Sequence, residues 1–480
     1  MYNNILQSKA DQTSSIVGNQ KKKVRNSMDR QEQLKNEKIS KLLFKFSLPA
    51  IIGMLVNALY NIVDRIFIGR GVDPLALTGI GVAFPFMTIL MAFSMLVGIG
   101  STSLISIRLG EDKQEEANHI LGHAFILLIV VTVIVTTLAL IFCDPLLQLF
   151  GASEETFVYA KDYITIILWG ALGNTLGFGL NNIIRAEGNP KAAMLTMLLG
   201  AVLNTILDPI FIYVFKMGIK GAAYATIISQ LANTIYVLWY FTSSRSLLKL
   251  KAQYMKLSKK IVLNIFSIGM APFAVQLAAS VVNTLFNRSL KIYGGDLAIG
   301  AMGVIMSVSM IFLMPIFGIN QGVQPIIGFN YGAKQYDRVK HALKLAIIAA
   351  TAFSTLGFLV VQFFPQVILR IFTSNEDFIV IGISGIRIFE SMLPVVGFQI
   401  ISSNYFQAIG RAKTAILLSL SRQVFVLIPM ILILPIFFQL PGVWLATPVS
   451  DVIAAILTGY VLILNLKHLD DTAKIQTILE

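Results

Sequence analysis

Apolar runs of about 20 residues recur from residue 42 almost to the C-terminus, and that recurrence decides the fold class. A helical run of ~20 apolar residues crosses the ~30 Å hydrocarbon core of a bilayer. Within that core each crossing segment must satisfy its own backbone N–H and C=O groups, so the crossings are helices. A soluble chain of 480 residues would need far more than 13% charged residues to balance 56% hydrophobic ones at a mean hydropathy of +0.75. The pattern predicts twelve spans, at 42–68, 75–105, 118–142, 157–183, 191–215, 219–242, 261–288, 296–328, 341–363, 378–405, 413–437 and 441–466. Several exceed the minimum length, so they tilt or protrude.

The net charge of +13 could suggest a nucleic-acid partner, but the placement of the charges excludes one. Lys and Arg fall in short loops between apolar runs, not in a stripe interleaved with aromatics. Counting the N-terminal tail, the even-numbered loops and the C-terminus together places 28 of the 38 basic residues on one side, six on the other and four within spans. The positive-inside rule then puts both termini in the cytoplasm. Residues 1–40 are polar and include Lys21-Lys22-Lys23-Val24-Arg25; they read as a disordered cytoplasmic tail. Residues 243–260 read as a cytoplasmic linker and 469–480 as a second cytoplasmic tail. Cys143 is the single cysteine and can form no internal disulfide. His119, His123, His341 and His468 lie near loops or helix ends, and none belongs to a zinc-binding motif. An enzyme would need a nucleophile–base or metal set deep in the spans, and none is present.

The second half repeats the first at an offset of about 222 residues. Residues 181–191 (NNIIRAEGNPK) align with 403–413 (SNYFQAIGRAK), Arg108-Leu109-Gly110 with Asn330-Tyr331-Gly332, and Val63-Asp64-Arg65 with Phe286-Asn287-Arg288. Each half holds an even number of spans, so both enter the membrane from the same side, and the pseudo-two-fold axis runs along the membrane normal. The expected fold is therefore an all-α membrane protein of twelve transmembrane helices. They form two pseudo-symmetric six-helix lobes, 41–242 and 261–468, around a central cavity. That architecture suits a carrier working by alternating access.

Ionisable residues within spans are costly, roughly 2.5–3.5 kcal/mol each on insertion scales, and so mark function. Four acids lie well inside: Asp64, Asp208, Glu390 and Asp451. In span 1, Asn57, Asn61 and Asp64 share one helix face at i, i+4, i+7, whereas Arg65 points about 100° away and can snorkel outward. In span 5, Asn204 and Asp208 share a face, and Pro209 disturbs the turn behind them. Thr226 in span 6 can add a hydroxyl. Asn181 adds a further amide at the end of span 4. Two carboxylates, an amide oxygen and a hydroxyl form a hard-oxygen set that suits Na⁺ or a shared proton. A structural role for these acids, as ion-pair partners or caps of a broken helix, is the alternative. In the second half Asn287 and Met430 replace Asp64 and Asp208, and the remaining charges, Arg387, Glu390, Arg422 and Asp451, balance as internal ion pairs, with a second coupling site as the alternative. Methionines recur at i, i+4 in spans 2 and 8. Met87, Met91, Met306 and Met310 are candidates for lining a drug cavity or simply for packing.

Ser47-Leu48-Pro49 opening span 1, Val63-Asp64 near its end, Arg185-Ala186-Glu187-Gly188 after span 4 and Asn204-Thr205-Ile206-Leu207-Asp208-Pro209 in span 5 resemble the multidrug and toxic compound extrusion (MATE) family over about 40–468. The likeness is greatest to its DinF-like and MepA-like bacterial branch. It implies a monomeric multi-pass protein of the bacterial cytoplasmic (inner) membrane. Such a protein exports organic cations and amphipathic drugs in exchange for H⁺ or Na⁺, with no other cofactor. Matching residue by residue, it implies Asp64, Asn204, Asp208 and Thr226 as the coupling site. Positions that carry acids in the NorM-like branch are here Ser280 and Phe398, which argues against a C-lobe coupling site. The rival reading is a flippase of a lipid-linked oligosaccharide or cell-wall precursor, which would favour a strongly basic cavity. The charge bias predicts that a cysteine placed in the 243–260 linker of a Cys143→Ser protein escapes a membrane-impermeant maleimide in intact cells; labelling from outside would invert the topology.

Overall fold

The computed structural model describes residues 30–72 and 74–479. Every regular element among them is helical. Residues 30–36 form α1, followed by α2 (Ile39–Gly71), α3 (Pro74–Gly110), α4 (Gln114–Ile141) and the short α5 (Cys143–Leu149). Span 4 is a pair, α6 (Glu154–Trp169) and α7 (Ala171–Ala186), bent by 57°. Span 5 is α8 (Pro190–Pro209), which runs into a π turn at Ile210–Val214 beyond the proline, and span 6 is α9 (Gly218–Thr242). The C-lobe repeats this pattern with longer continuous helices. In α10 (Lys259–Gly332) spans 7 and 8 meet at Gly295, whose φ of 67° and free surroundings call for glycine. Then come α11 (Tyr336–Phe363), the short α12 (Pro365–Arg370), and span 10 as α13 (Glu376–Phe389) with α14 (Leu393–Ala408), bent by 44°. Finally α15 (Ala412–Leu420) leads through a π turn at Ser421–Leu427 into α16 (Ile428–Leu479), broken at Gln439. Twelve crossings result. Span 6 carries Thr226, Ser229, Gln230 and Asn233, which line a cavity.

The lobes meet along α3 and α10, and glycine sets how closely. A Cβ on Gly110 would overlap the Phe329 carbonyl oxygen, and one on Gly332 the Ile107 carbonyl oxygen. Gly100 lies against the backbone of Ile265 and Gly269, and Gly322, its repeat equivalent, against the backbone of Ser47. Helices in a membrane gain little from apolar association, so close backbone packing carries such interfaces. Gln324 Nε2 adds a hydrogen bond to Ser103 Oγ across the seam at 3.0 Å. All of these contacts lie toward the end of the bundle that carries the termini. Toward the other end, the equivalent positions Leu59 and Val281, and Phe84 and Met306, are exposed.

The expectation of a disordered 1–40 tail fails over residues 30–40. Leu34 is 2% exposed, and Arg30 Nη1 donates to Glu187 Oε1 and to Tyr240 Oη, both at 3.3 Å. From the C-lobe, Arg338 donates to the carbonyls of Leu34 (3.0 Å) and Glu37 (2.8 Å), while Asn330 Nδ2 donates to Leu34 O at 3.3 Å. Burial and these carbonyl acceptors hold the segment as a strap between the lobes. Residues 1–29, with the 21–25 basic run, lie outside the described residues. The 469–480 tail is likewise helical as far as Leu479, because Leu469 is buried and Asp470 pairs with Lys340.

The linker lies against the N-lobe. Ser246 Oγ and the Leu248 N–H donate to Glu187 Oε2, and the Lys249 N–H donates to Asn118 Oδ1 at 2.8 Å. The Ser258 N–H donates to His123 Nε2 at 2.7 Å, so the other ring nitrogen donates to the His119 carbonyl. Glu187 is fully buried at the hub of this network. Burial pushes its carboxyl up, opposed by hydrogen bonds from Ser246 and Tyr240 and by the charge of Arg30. Arg338→Gln should release the strap. Hydrogen bonds to charged groups are worth about 1.5–3 kcal/mol each, so tryptic cleavage after Lys35 and Lys38 should quicken on the order of tenfold or more; unchanged cleavage would mean the strap is held elsewhere.

Candidate functional site

Asp208 and Asn204 face inward from the last turns of α8, at 0% and 2% exposure. Asn204 Nδ2 donates to Asp208 Oδ1 at 3.2 Å and reaches Thr226 Oγ1 of α9 at 3.5 Å. Asp64 of α2 lies close enough to Asp208 for the two carboxyls to interact. Two carboxylates are acceptors only, so they could share a hydrogen bond only with a proton between them. Asp64 Oδ1, Asp208 Oδ2 and Asn204 Oδ1 are buried with no hydrogen-bond partner among the described residues. Such orphaned oxygens are costly unless something completes them. Two carboxyls, an amide oxygen and a hydroxyl therefore fit a small hard cation or a shared proton. The four residues grouped from spacing lie together.

The structure adds Tyr163 of α6, 2% exposed, which lies close enough to Thr226 and to both carboxyls to interact with them. No spacing rule pointed to it, because its partners belong to other helices. Arg65 is exposed, as its direction implied. Asn61 belongs to α2, but its side chain lies outside the described residues.

Beside this group opens a cavity within the N-lobe. Asn57, Asn181, Asn204 and Thr226 line it, and Gln321 reaches it from the C-lobe. Asn181 is held by its Nδ2, which donates to the Ala193 carbonyl at 2.8 Å and to Thr196. Met91, Met306 and Met310 are exposed, Met87 is half-buried, and none of the four lines this cavity. Met54 and Met197 do so instead, because the cavity lies inside one lobe and not between spans 2 and 8.

In the C-lobe, Arg422 Nε donates to Asp451 Oδ1 at 2.5 Å, and Asp451 is 3% exposed. The other expected pair does not form. Glu390 terminates α13 and turns inward to accept from Ser309 of α10, whereas Arg387, three residues earlier, is exposed. Glu390 remains close enough to Arg422 and Asp451 to feel both charges.

The MatE family model matches this chain twice, over residues 49–210 and 271–433. The chain belongs to the MatE family. The second match begins 222 residues after the first, the offset of the internal repeat. The multidrug export protein MepA of Staphylococcus haemolyticus is 27% identical over 423 residues, covering 88% of this chain and 93% of MepA. The MATE multidrug transporter DinF-BH, solved in complex with a ligand, is 42% identical, with a TM-score of 0.84 over 89% of this chain and 96% of that one. An outward-facing MATE transporter of the MOP superfamily superposes with a TM-score of 0.86 at 27% identity, covering 92% of this chain and 98% of that one.

Removing one partner of a buried ion pair costs about 3–5 kcal/mol, whereas replacing both with apolar groups is often neutral. Asp451→Leu alone should therefore lower thermal stability sharply, and Arg422→Met with Asp451→Leu should recover most of it. Additive losses in the double variant would show that the two side chains are not coupled.

Proposed function

We propose that the chain is a secondary active multidrug exporter that exchanges organic cations and other amphipathic drugs for H⁺ or Na⁺ by alternating access. The observation that carries this reading is the carboxyl pair Asp64–Asp208, joined to a polar-lined cavity through Asn204 and Thr226. The export function of MepA and the multidrug transport of DinF-BH support the substrate class. The site itself is the protein's own geometry.

The termini-bearing end is cytoplasmic in this reading, and the structure is the outward-facing state. The glycine seam closes that end, and the likeness to an outward-facing relative agrees with it. With a proton or cation bound, the carboxyls are neutralised and α2 packs against α8. Empty and ionised, they repel, and α2 is displaced along the wall it shares with the cavity. The ion shifts this equilibrium only by its difference in affinity between the two states. Glu390 and the Arg422–Asp451 pair serve the C-lobe structurally. A flippase of polyprenyl-linked sugars would need a strongly basic cavity, and the lining here carries a single charge among the described residues.

Asp64→Asn and Asp208→Asn should each abolish gradient-driven dye efflux in proteoliposomes while the protein stays folded. Asn204→Ala and Thr226→Ala should weaken ion affinity several-fold only, since each removes one neutral oxygen. Imposing Na⁺ and pH gradients separately identifies the ion. Wild-type efflux by the Asp64→Asn, Asp208→Asn double variant would overturn the assignment.

A further inference from the structure

Among the described residues, Arg185 is a buried cation without an anion. It stands in the last turn of α7 at 4% exposure and lines the N-lobe cavity. Its sequence position suggests a loop charge, but the side chain turns into the protein. Its Nη2 donates to Asn182 Oδ1 at 2.6 Å, and its Nη1 reaches the Met197 sulfur at 3.9 Å. Neither partner is charged, and no acidic side chain acts on it among the described residues. A guanidinium carries five N–H donors in a planar fork, so most of its capacity is uncommitted. Charges buried this deeply are normally paired.

The rest of the lining sharpens the point. Arg185 is its single charged residue among the described residues; neither Asp64 nor Asp208 belongs to the lining, and Asn204 links it to Asp208. Elsewhere in the lining, Asn233 Oδ1 and Gln321 Oε1 are buried acceptors with no donor among the described residues. The cavity thus presents an unanswered cationic fork, unanswered amide oxygens, and an apolar floor of Met54, Phe178 and Met197. A plain organic cation satisfies the oxygens at best and is repelled by the fork. A molecule with a carboxylate at one end, N–H donors at the other and a flat apolar body between satisfies all three.

We infer that the N-lobe cavity selects amphipathic zwitterions, with Arg185 as the residue that reads their carboxylate. Guanidinium and carboxylate form paired, charge-assisted hydrogen bonds of matching geometry, which an ester cannot reproduce. The inference rests on the cavity being the ligand site of the exporter proposed above, and it narrows the substrates of that site.

The test uses two dyes that share one xanthylium body and its N–H groups. One is the rhodamine with a free carboxylate, and the other is its ethyl ester. Binding to the purified full-length protein is followed by fluorescence anisotropy at a pH where the acid is ionised. The wild type should bind the acid about tenfold or more tightly than the ester, the range expected for hydrogen bonds to a charged group. Arg185→Gln should bring that ratio close to one, and Arg185→Lys should keep part of it. If Arg185→Gln does not fold, the wild-type ratio and the Lys variant decide. Equal wild-type affinities, or an unchanged ratio in Arg185→Gln, overturn the inference. So does displacement of the acid dye by dodecanoate at comparable affinity, since that would mark a fatty-acid site with no need of N–H donors. Export is read separately: acid-selective binding without gradient-driven export of either dye would sink the exporter reading and leave the selectivity standing. If neither dye binds, the cavity is no ligand site and both fall.

Discussion

The architecture depends on how closely two helical backbones approach at the seam between the lobes. Gly110 and Gly332 each leave room for a carbonyl oxygen of the opposite lobe, and Gly100 and Gly322 do the same for the backbones of spans 7 and 1. The two pairs occupy equivalent positions in the repeat, so the seam is nearly self-complementary about the pseudo-two-fold axis. Such contacts carry no charge and few hydrogen bonds. They are made or lost as a unit, which suits an interface with two stable arrangements better than one that deforms gradually. The strap formed by α1 and the Glu187 network then ties both lobes and the linker at the same end. Opening that end would require the seam and the strap to yield together.

Duplication supplied two equal halves, and low dielectric explains why they did not stay equal. A carboxyl inside the bilayer must be neutralised, paired or completed by a ligand. The C-lobe pairs Asp451 with Arg422, and Asn287 and Met430 occupy the places of Asp64 and Asp208. In the N-lobe Asp64 and Asp208 are set against one another, with orphaned oxygens turned inward. The first arrangement is complete within the protein. The second is incomplete without a proton or cation, and an incomplete site is one whose occupancy can be coupled to a movement.

Features that follow chain periodicity were legible in the sequence. The spans, the repeat and the helix-face groupings of Asn57, Asn204 and Asp208 all depend on spacing within one segment, which helical geometry makes predictable. Features that depend on which helices become neighbours were not. Tyr163 reaches the Asp64–Asp208 group only because α6 packs beside α9, and no periodicity encodes that. Glu187 looked like a loop residue between a helix and Gly188, yet the linker folds over it and buries it fully. The methionine stripes of spans 2 and 8 were real as spacing, but the cavity opened within one lobe and recruited Met54 and Met197. Spacing likewise suggested an Arg387–Glu390 pair, which the end of α13 breaks by turning Glu390 inward and leaving Arg387 exposed.

Arg185 shows why charge counting along a chain and charge placement in space can disagree. Counted with the loop after span 4, it strengthens the positive-inside bias; in three dimensions it forms part of the cavity wall. The cavity also touches the Asp64–Asp208 group through Asn204 and Thr226, so under the proposed mechanism one wall carries a cationic end and an end whose charge would depend on the bound ion. With the carboxyls neutralised, Arg185 would dominate the cavity potential and hold an anionic group. With them ionised, their negative charge would offset that field and favour a cationic group at the other end of a ligand. A zwitterion spanning the wall would therefore meet a different balance of attraction in each state of the carboxyl pair. No direct contact between ion and ligand is needed, because through a medium of low dielectric the field itself links them.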